Sequence, residues 1–215
     1  FALESHLRAA AATKADYFSK EILPLQGKNE NGNDSMVIHD EGIRYDASLE
    51  ALAGLKTVSE GGVITAGNAS QITDGASAIM VCNEEGLKKI TADPKALIKT
   101  ITVVGDDPVY MLTGPIPASK LALRKANLSI IDMDLYEVNE AFAPVPLAWA
   151  AELDADKDKL NVNGGAIALG HPLGATGTKL MTTLVHELER RKGKYALQAI
   201  CEGGGTANAT IIERL

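Results

Sequence analysis

From residue 66 onward, apolar β-prone runs alternate with amphipathic stretches, and this alternation confines the chain to an α/β fold. Residues 76–82 form an apolar run suited to a buried strand. Residues 84–90 read as a short helix, and 98–104 as a β-branched strand. A helix follows over 117–126, with proline in its first turn. Residues 133–138 give another strand, and 141–153 a helix rich in Ala and Leu with Trp149 inside it. The longest helical pattern covers 176–191 and ends near Gly193. Residues 195–201 and 207–212 are closing strands around a glycine turn. The order βαβαβαββ implies a mixed, mostly parallel sheet covered by helices.

The first 65 residues have another texture. Leu3, Leu7, Ala10, Ala11 and Tyr17 recur at helical spacing, which predicts a helix over 1–20. No cap precedes it and residue 1 is Phe, so the expectation is a fragment that starts inside a helix. Residues 27–34 are a polar turn cluster, 36–39 a short strand, and 59–62 a turn. Residues 46–55 read as a helix capped by Asp46 or Ser48, with Leu49, Leu52 and Leu55 on one face. The expected division is therefore a lid-like loop region, 1–65, and an α/β unit, 66–215.

Composition removes several classes of function. A net charge of −7 argues against nonspecific nucleic-acid binding, which needs a basic face. No apolar run approaches the ~20 residues of a membrane span, and no signal peptide opens the chain. The two cysteines, Cys82 and Cys201, are too far apart for a zinc motif and read as reduced thiols. Three N-x-S/T sequons, at Asn68, Asn127 and Asn208, read as chance. The four histidines lack metal-site spacing, so no metal is expected. The glycine loop at 170–179 lacks the Gly-Lys-Ser/Thr of a phosphate loop, and no Gly-x-Gly-x-x-Gly opens a βαβ unit.

Three glycine-punctuated patches carry the chemistry. They are Glu137-Val-Asn-Glu-Ala-Phe-Ala143, Asn161-Val-Asn-Gly-Gly-Ala-Ile-Ala-Leu-Gly-His-Pro172 and Cys201-Glu-Gly-Gly-Gly205. Each lies just beyond an expected strand or between a strand and a helix, and parallel α/β sheets bind ligands at the carboxyl ends of their strands. His171, fixed before Pro172, is suited to activate a thiol or polarise a carbonyl, or is simply a loop histidine. Cys201 precedes glycines whose N–H groups can form an oxyanion hole. It is either a proton-transferring thiol or a small buried hydrophobe. Asn139 can cap the following helix, or orient a water or a carbonyl oxygen, and the cap is the simpler role. Glu140 reads as a first-turn charge on the helix dipole. Cys82, within an apolar run, reads as structural.

Together these blocks, with Thr65-Ala-Gly-Asn-Ala-Ser70 and Gly114-Pro-Ile-Pro-Ala-Ser119, resemble the thiolases, which cleave or form 3-ketoacyl-CoA. The resemblance runs from residue 1 to 215, and Pro144-Val-Pro-Leu-Ala-Trp149 looks closest to the degradative branch of fatty-acid β-oxidation. It implies a thiolase-like half with part of the loop domain. It implies that His171 deprotonates a nucleophilic cysteine and helps bind the thioester oxygen. Cys201 would be the second, acid/base cysteine, Asn139 would hold an oxyanion-hole water, and the Gly203 N–H would serve the second oxyanion hole. Arg44 would meet the CoA nucleotide. Leu55, Ala66, Ser70, Met111 and Phe142 would line the pantetheine tunnel, with Ser70 on an amide. Ala51 stands where some members carry a CoA-touching serine.

The family's nucleophilic cysteine lies in a first half that has no counterpart here. The implied activity is acetyl-CoA C-acyltransfer by a ping-pong route, with CoA as a substrate and no bound cofactor. The implied partners are acyl-CoA, CoA, the missing half and further copies in a dimer or tetramer. The expected location is the cytoplasm, since Glu213-Arg-Leu215 is not a peroxisomal address. Alone, the chain should be inactive, bind CoA weakly and expose an apolar face. The alternatives are a noncatalytic CoA- or lipid-binding scaffold, and one polypeptide of a nicked enzyme.

Overall fold

A computed structural model describes residues 1–29 and 31–215. In chain order it contains α1 (Ala2–Lys14), β1 (Leu25–Lys28), β2 (Asp34–Val37), α2 (Leu49–Ala53), α3 (Glu84–Leu87), β3 (Ala96–Gly105) and α4 (Pro115–Ala126). There follow β4 (Leu135–Val138), α5 (Pro144–Leu153), α6 (Ala166–Leu169), α7 (Thr176–Arg191), β5 (Tyr195–Cys201) and β6 (Thr206–Arg214). The polar turn cluster joins β1 to β2 as an antiparallel hairpin, and its Glu30 lies outside the described residues. Ser48, one of the two expected caps, accepts the Ala51 N–H and starts α2.

The main sheet is mixed and ordered β3-β6-β5-β4. Among the described residues β3, β4 and β5 run in one direction and β6 against them, so the sheet is mixed and its one parallel pairing is β4–β5. The cause is local. The Gly203–Gly205 turn sends β6 back beside β5, and β6 then lies between β5 and β3, which makes both its pairings antiparallel.

Side-chain alternation divides the sheet into two faces. Tyr136, Val138, Leu197, Ala199, Cys201, Ala207, Ala209 and Ile211 pack with α4 and α5 around Trp149. Leu135, Ala196 and Ile212 pack on the other face with Leu184 and Leu188 of α7. Prolines open α4 and α5, where a missing N–H costs nothing. Left-handed Asn127, Asp154 and Lys192 end α4, α5 and α7.

Two expectations fail for physical reasons. Residues 70–83 form neither strand nor helix, and Met80 and Val81 are 74% and 70% exposed. A strand is stabilised by its ladder, and no strand among the described residues pairs with this run. Cys82 is accordingly exposed and not a core thiol. In α1 the packed stripe is Ala2, Ser5, His6, Ala9, Ala10 and Ala12, while Leu7 is exposed. The helix backbone approaches Gly164 so closely that a Cβ there would lie 2.5 Å from the Ser5 carbonyl oxygen, and only small residues fit that contact.

Candidate active site

The loop after β4 is built around one amide. Asn161, in the left-handed region, pairs its side chain with both the N–H and the C=O of Val138, each at 2.9 Å. A side chain thus imitates a neighbouring strand at the open edge of β4. The same Nδ2 reaches Glu140, whose other carboxylate oxygen accepts from the Ser5 hydroxyl at 2.7 Å and the Ile167 N–H at 3.1 Å. Glu140 is fully buried, so desolvation raises its pKa, and these three donors oppose the rise. It is a brace between α1, β4 and α6. It is not a first-turn charge, because α5 begins only at Pro144 with Ala143 as its cap.

Asn139 therefore caps nothing. Its backbone N–H donates to the Ala199 carbonyl, extending the β4–β5 pairing by one residue. Its buried side chain turns to His171, with Nδ2 3.2 Å from Nε2. The Oδ1 is buried without a partner.

His171 follows α6 and Gly170. Gly170 has φ +81°, and a Cβ on it would lie 2.4 Å from the Thr73 side chain. The His171 N–H donates to the Gln71 carbonyl, and the Gln71 amide holds the carbonyls of Gly42, Ile167 and Ala168. Gln71 thus ties the Arg44 loop to the turn that carries His171. The imidazole Nδ1 lies 2.6 Å from the Thr176 hydroxyl at the start of α7. Burial, and then the Lys179 charge, lower the His171 pKa.

Cys201 ends β5, two residues beyond Ala199, and is buried on the α4–α5 face. Burial pushes its thiol pKa up, and the Glu202 charge adds to the rise against a backbone hydrogen bond. The Asn139–His171 pair and Cys201 thus stand at the ends of adjacent parallel strands, with no hydrogen bond between His171 and Cys201 among the described residues. Gly203 is exposed, and nothing lies within 4 Å of a Cβ built on it. Gly205, with φ +80°, presses on the backbone of Asp106 and Asp107.

The other site candidates fall into separate groups. Ser70 and Phe142 are together: the Ser70 N–H donates to Ala141, and Ala69 bridges Phe142. Leu55, itself exposed, lies beside Gly67, next to exposed Ala66. Met111, with φ +55°, belongs to the loop after β3 that meets Gly205, and Arg44 is exposed with its N–H on His6. Among the described residues no cluster of His, Cys, Asp or Glu is placed to hold a metal ion. Sequence reasoning missed Glu140 as a brace, Gln71 and Thr176. Only Thr176, five residues after His171 in a helix start, left a local trace.

Comparison with known proteins gives this geometry a family. A steroid 3-ketoacyl-CoA thiolase of Mycobacterium tuberculosis is 54% identical over the whole chain, which covers 51% of that protein. The human mitochondrial 3-ketoacyl-CoA thiolase is 49% identical over 99% of the chain and 54% of its own length. Its crystal structure superposes with a TM-score of 0.92 at 47% identity, covering all of this chain and 54% of that one. The same human enzyme in complex with CoA gives 0.91. The chain spans about half the length of the curated relatives it matches. Residues 1–85 match the thiolase N-terminal domain and residues 92–214 the thiolase C-terminal domain, so the chain belongs to the thiolase family.

Proposed function

We propose that this chain supplies the proton-handling part of a thiolase active site, completed by a half that carries the nucleophilic cysteine. The observation that carries this reading is the Asn139–His171 pair, 3.2 Å apart, at the strand end next to Cys201. The substrates are a 3-ketoacyl-CoA and CoA, and the products acetyl-CoA and a shortened acyl-CoA. Support comes from the shared name of the relatives and from the polarity of the site.

Each group has a state suited to its task. His171, its pKa lowered by burial and Lys179, is neutral at pH 7 and can take the proton of a thiol. Cys201, its pKa raised by burial, is a protonated thiol at pH 7. Once the acyl carbon–carbon bond breaks, that thiol can protonate the departing enolate of acetyl-CoA. The thiolate left behind is strongly basic because its pKa is raised, so it can deprotonate the incoming CoA. The unpaired Asn139 Oδ1 can hold a water that donates to one oxyanion, and the exposed Gly203 backbone N–H can donate to a second.

The test is complementation. The chain is co-expressed with the first half of the M. tuberculosis relative, and 3-ketoacyl-CoA thiolysis is measured. Activity is expected only when both halves are present, and His171→Ala should lower kcat by about 10²–10⁴-fold. Thiolysis unchanged by His171→Ala overturns the proposal, and so does an assembled pair that binds CoA without turnover.

A further inference from the structure

We propose that Thr176 is a positioning residue that fixes the tautomer of His171, holding a proton on Nδ1 and leaving the lone pair on Nε2. This rests on the reading of His171 as the site's base and adds the residue that aims it.

The buried Thr176 hydroxyl touches two groups, the His171 Nδ1 at 2.6 Å and the Pro172 carbonyl at 3.0 Å. A hydroxyl has one hydrogen. When that hydrogen goes to the carbonyl, the oxygen can only accept from the ring, so Nδ1 must carry the proton. The far side of the ring agrees. Asn139 presents Nδ2, a donor, to Nε2 at 3.2 Å, and a donor needs a lone pair there. Both ends of the imidazole therefore specify the same tautomer.

The competing arrangement is also well defined. Thr176 would donate to Nδ1, Nε2 would carry the proton, and Asn139 would have to present Oδ1 instead. The Pro172 carbonyl would then keep only the N–H groups of Ala175 and Thr176, each at 3.0 Å. Thr176 is the first residue of α7 and its side chain is buried, so the helix fixes its backbone and packing fixes its hydroxyl. That placement suits a residue that orients a base from behind.

Histidine-selective ¹⁵N NMR on the whole chain decides between the two, because a protonated and a lone-pair ring nitrogen resonate far apart. His171 is assigned by loss of its signals in His171→Gln. The expected result is a protonated Nδ1 and an unprotonated Nε2 at pH 8. Thr176→Val should shift the signals toward a mixture of tautomers, and Thr176→Ser should restore the wild-type pattern. A wild-type spectrum with the proton on Nε2 overturns the proposal, as does a folded Thr176→Val with an unchanged spectrum. If Thr176→Val does not fold, the wild-type spectrum and Thr176→Ser still decide. In the complemented enzyme, Thr176→Val should lower kcat by about 10–100-fold with KM little changed, and Thr176→Ser should recover most of it. Absence of thiolysis in every variant would reject the functional reading while leaving the tautomer result intact.

Discussion

Glu21 is held unusually far from its solution behaviour: burial raises its pKa to about 7, against a Thr183 hydrogen bond and the Lys179 charge. An acid with a raised folded pKa favours the native state when protonated. Its contribution is full below the unfolded value and is lost as pH rises toward about 7. Glu21→Gln should therefore gain stability relative to wild type as pH rises from 5 to 8, and paired thermal melts across that range read the difference. A constant offset would show that Glu21 ionises normally. The same scale shows what the sequence hid. Asn139 and Glu140 are adjacent residues with opposite tasks, one facing the imidazole and one bracing α1 against α6. A cap for Asn139 and a first-turn charge for Glu140 are the natural local readings, because their side-chain partners lie 20 or more residues away and leave no local signal.

Among the elements, α7 and β5 are legible to the residue, because caps and periodicity are local properties. Residues 76–82 are not, although their apolar pattern is that of a strand. The pattern reports what a segment can do, and the ladder depends on a neighbour. The thiolase N-terminal match runs to residue 85, and relatives extend over about twice this length. Amide exchange over 76–82 should be fast in this chain and slow on addition of the complementary half. Equal exchange in both states would mean that the run stays unpaired. Tight loops make a second prediction. Gly164→Ala forces an alanine to φ +79° with its Cβ 2.5 Å from the Ser5 carbonyl. It should cost about 1–3 kcal/mol, read as a lower denaturant midpoint, and loosen α1 from the loop that carries Asn161.

At the scale of the whole molecule, many large apolar side chains are exposed. Ile101 and Val103 on β3 are 56% and 68% exposed, and Met80 and Val81 exceed both. Such surface favours association, so light scattering of the chain alone should rise with concentration and fall when the other half is supplied. The fold was largely readable because its helices and strands are locally encoded. The candidate site is legible only as three motifs, and its geometry comes from Asn161 and Gln71 reaching across the chain and from Thr176 five residues after His171.

In the proposed reaction Cys201 carries protons while the nucleophile lies in the other half. Steady-state thiolysis by the complemented enzyme bearing Cys201→Ala tests that role. The expected result is a kcat lower by about 10²–10⁴-fold with little change in KM, because the thiol acts on the reacting atoms and not on binding. Turnover equal to wild type would contradict the assignment and leave Cys201 as a core residue of β5.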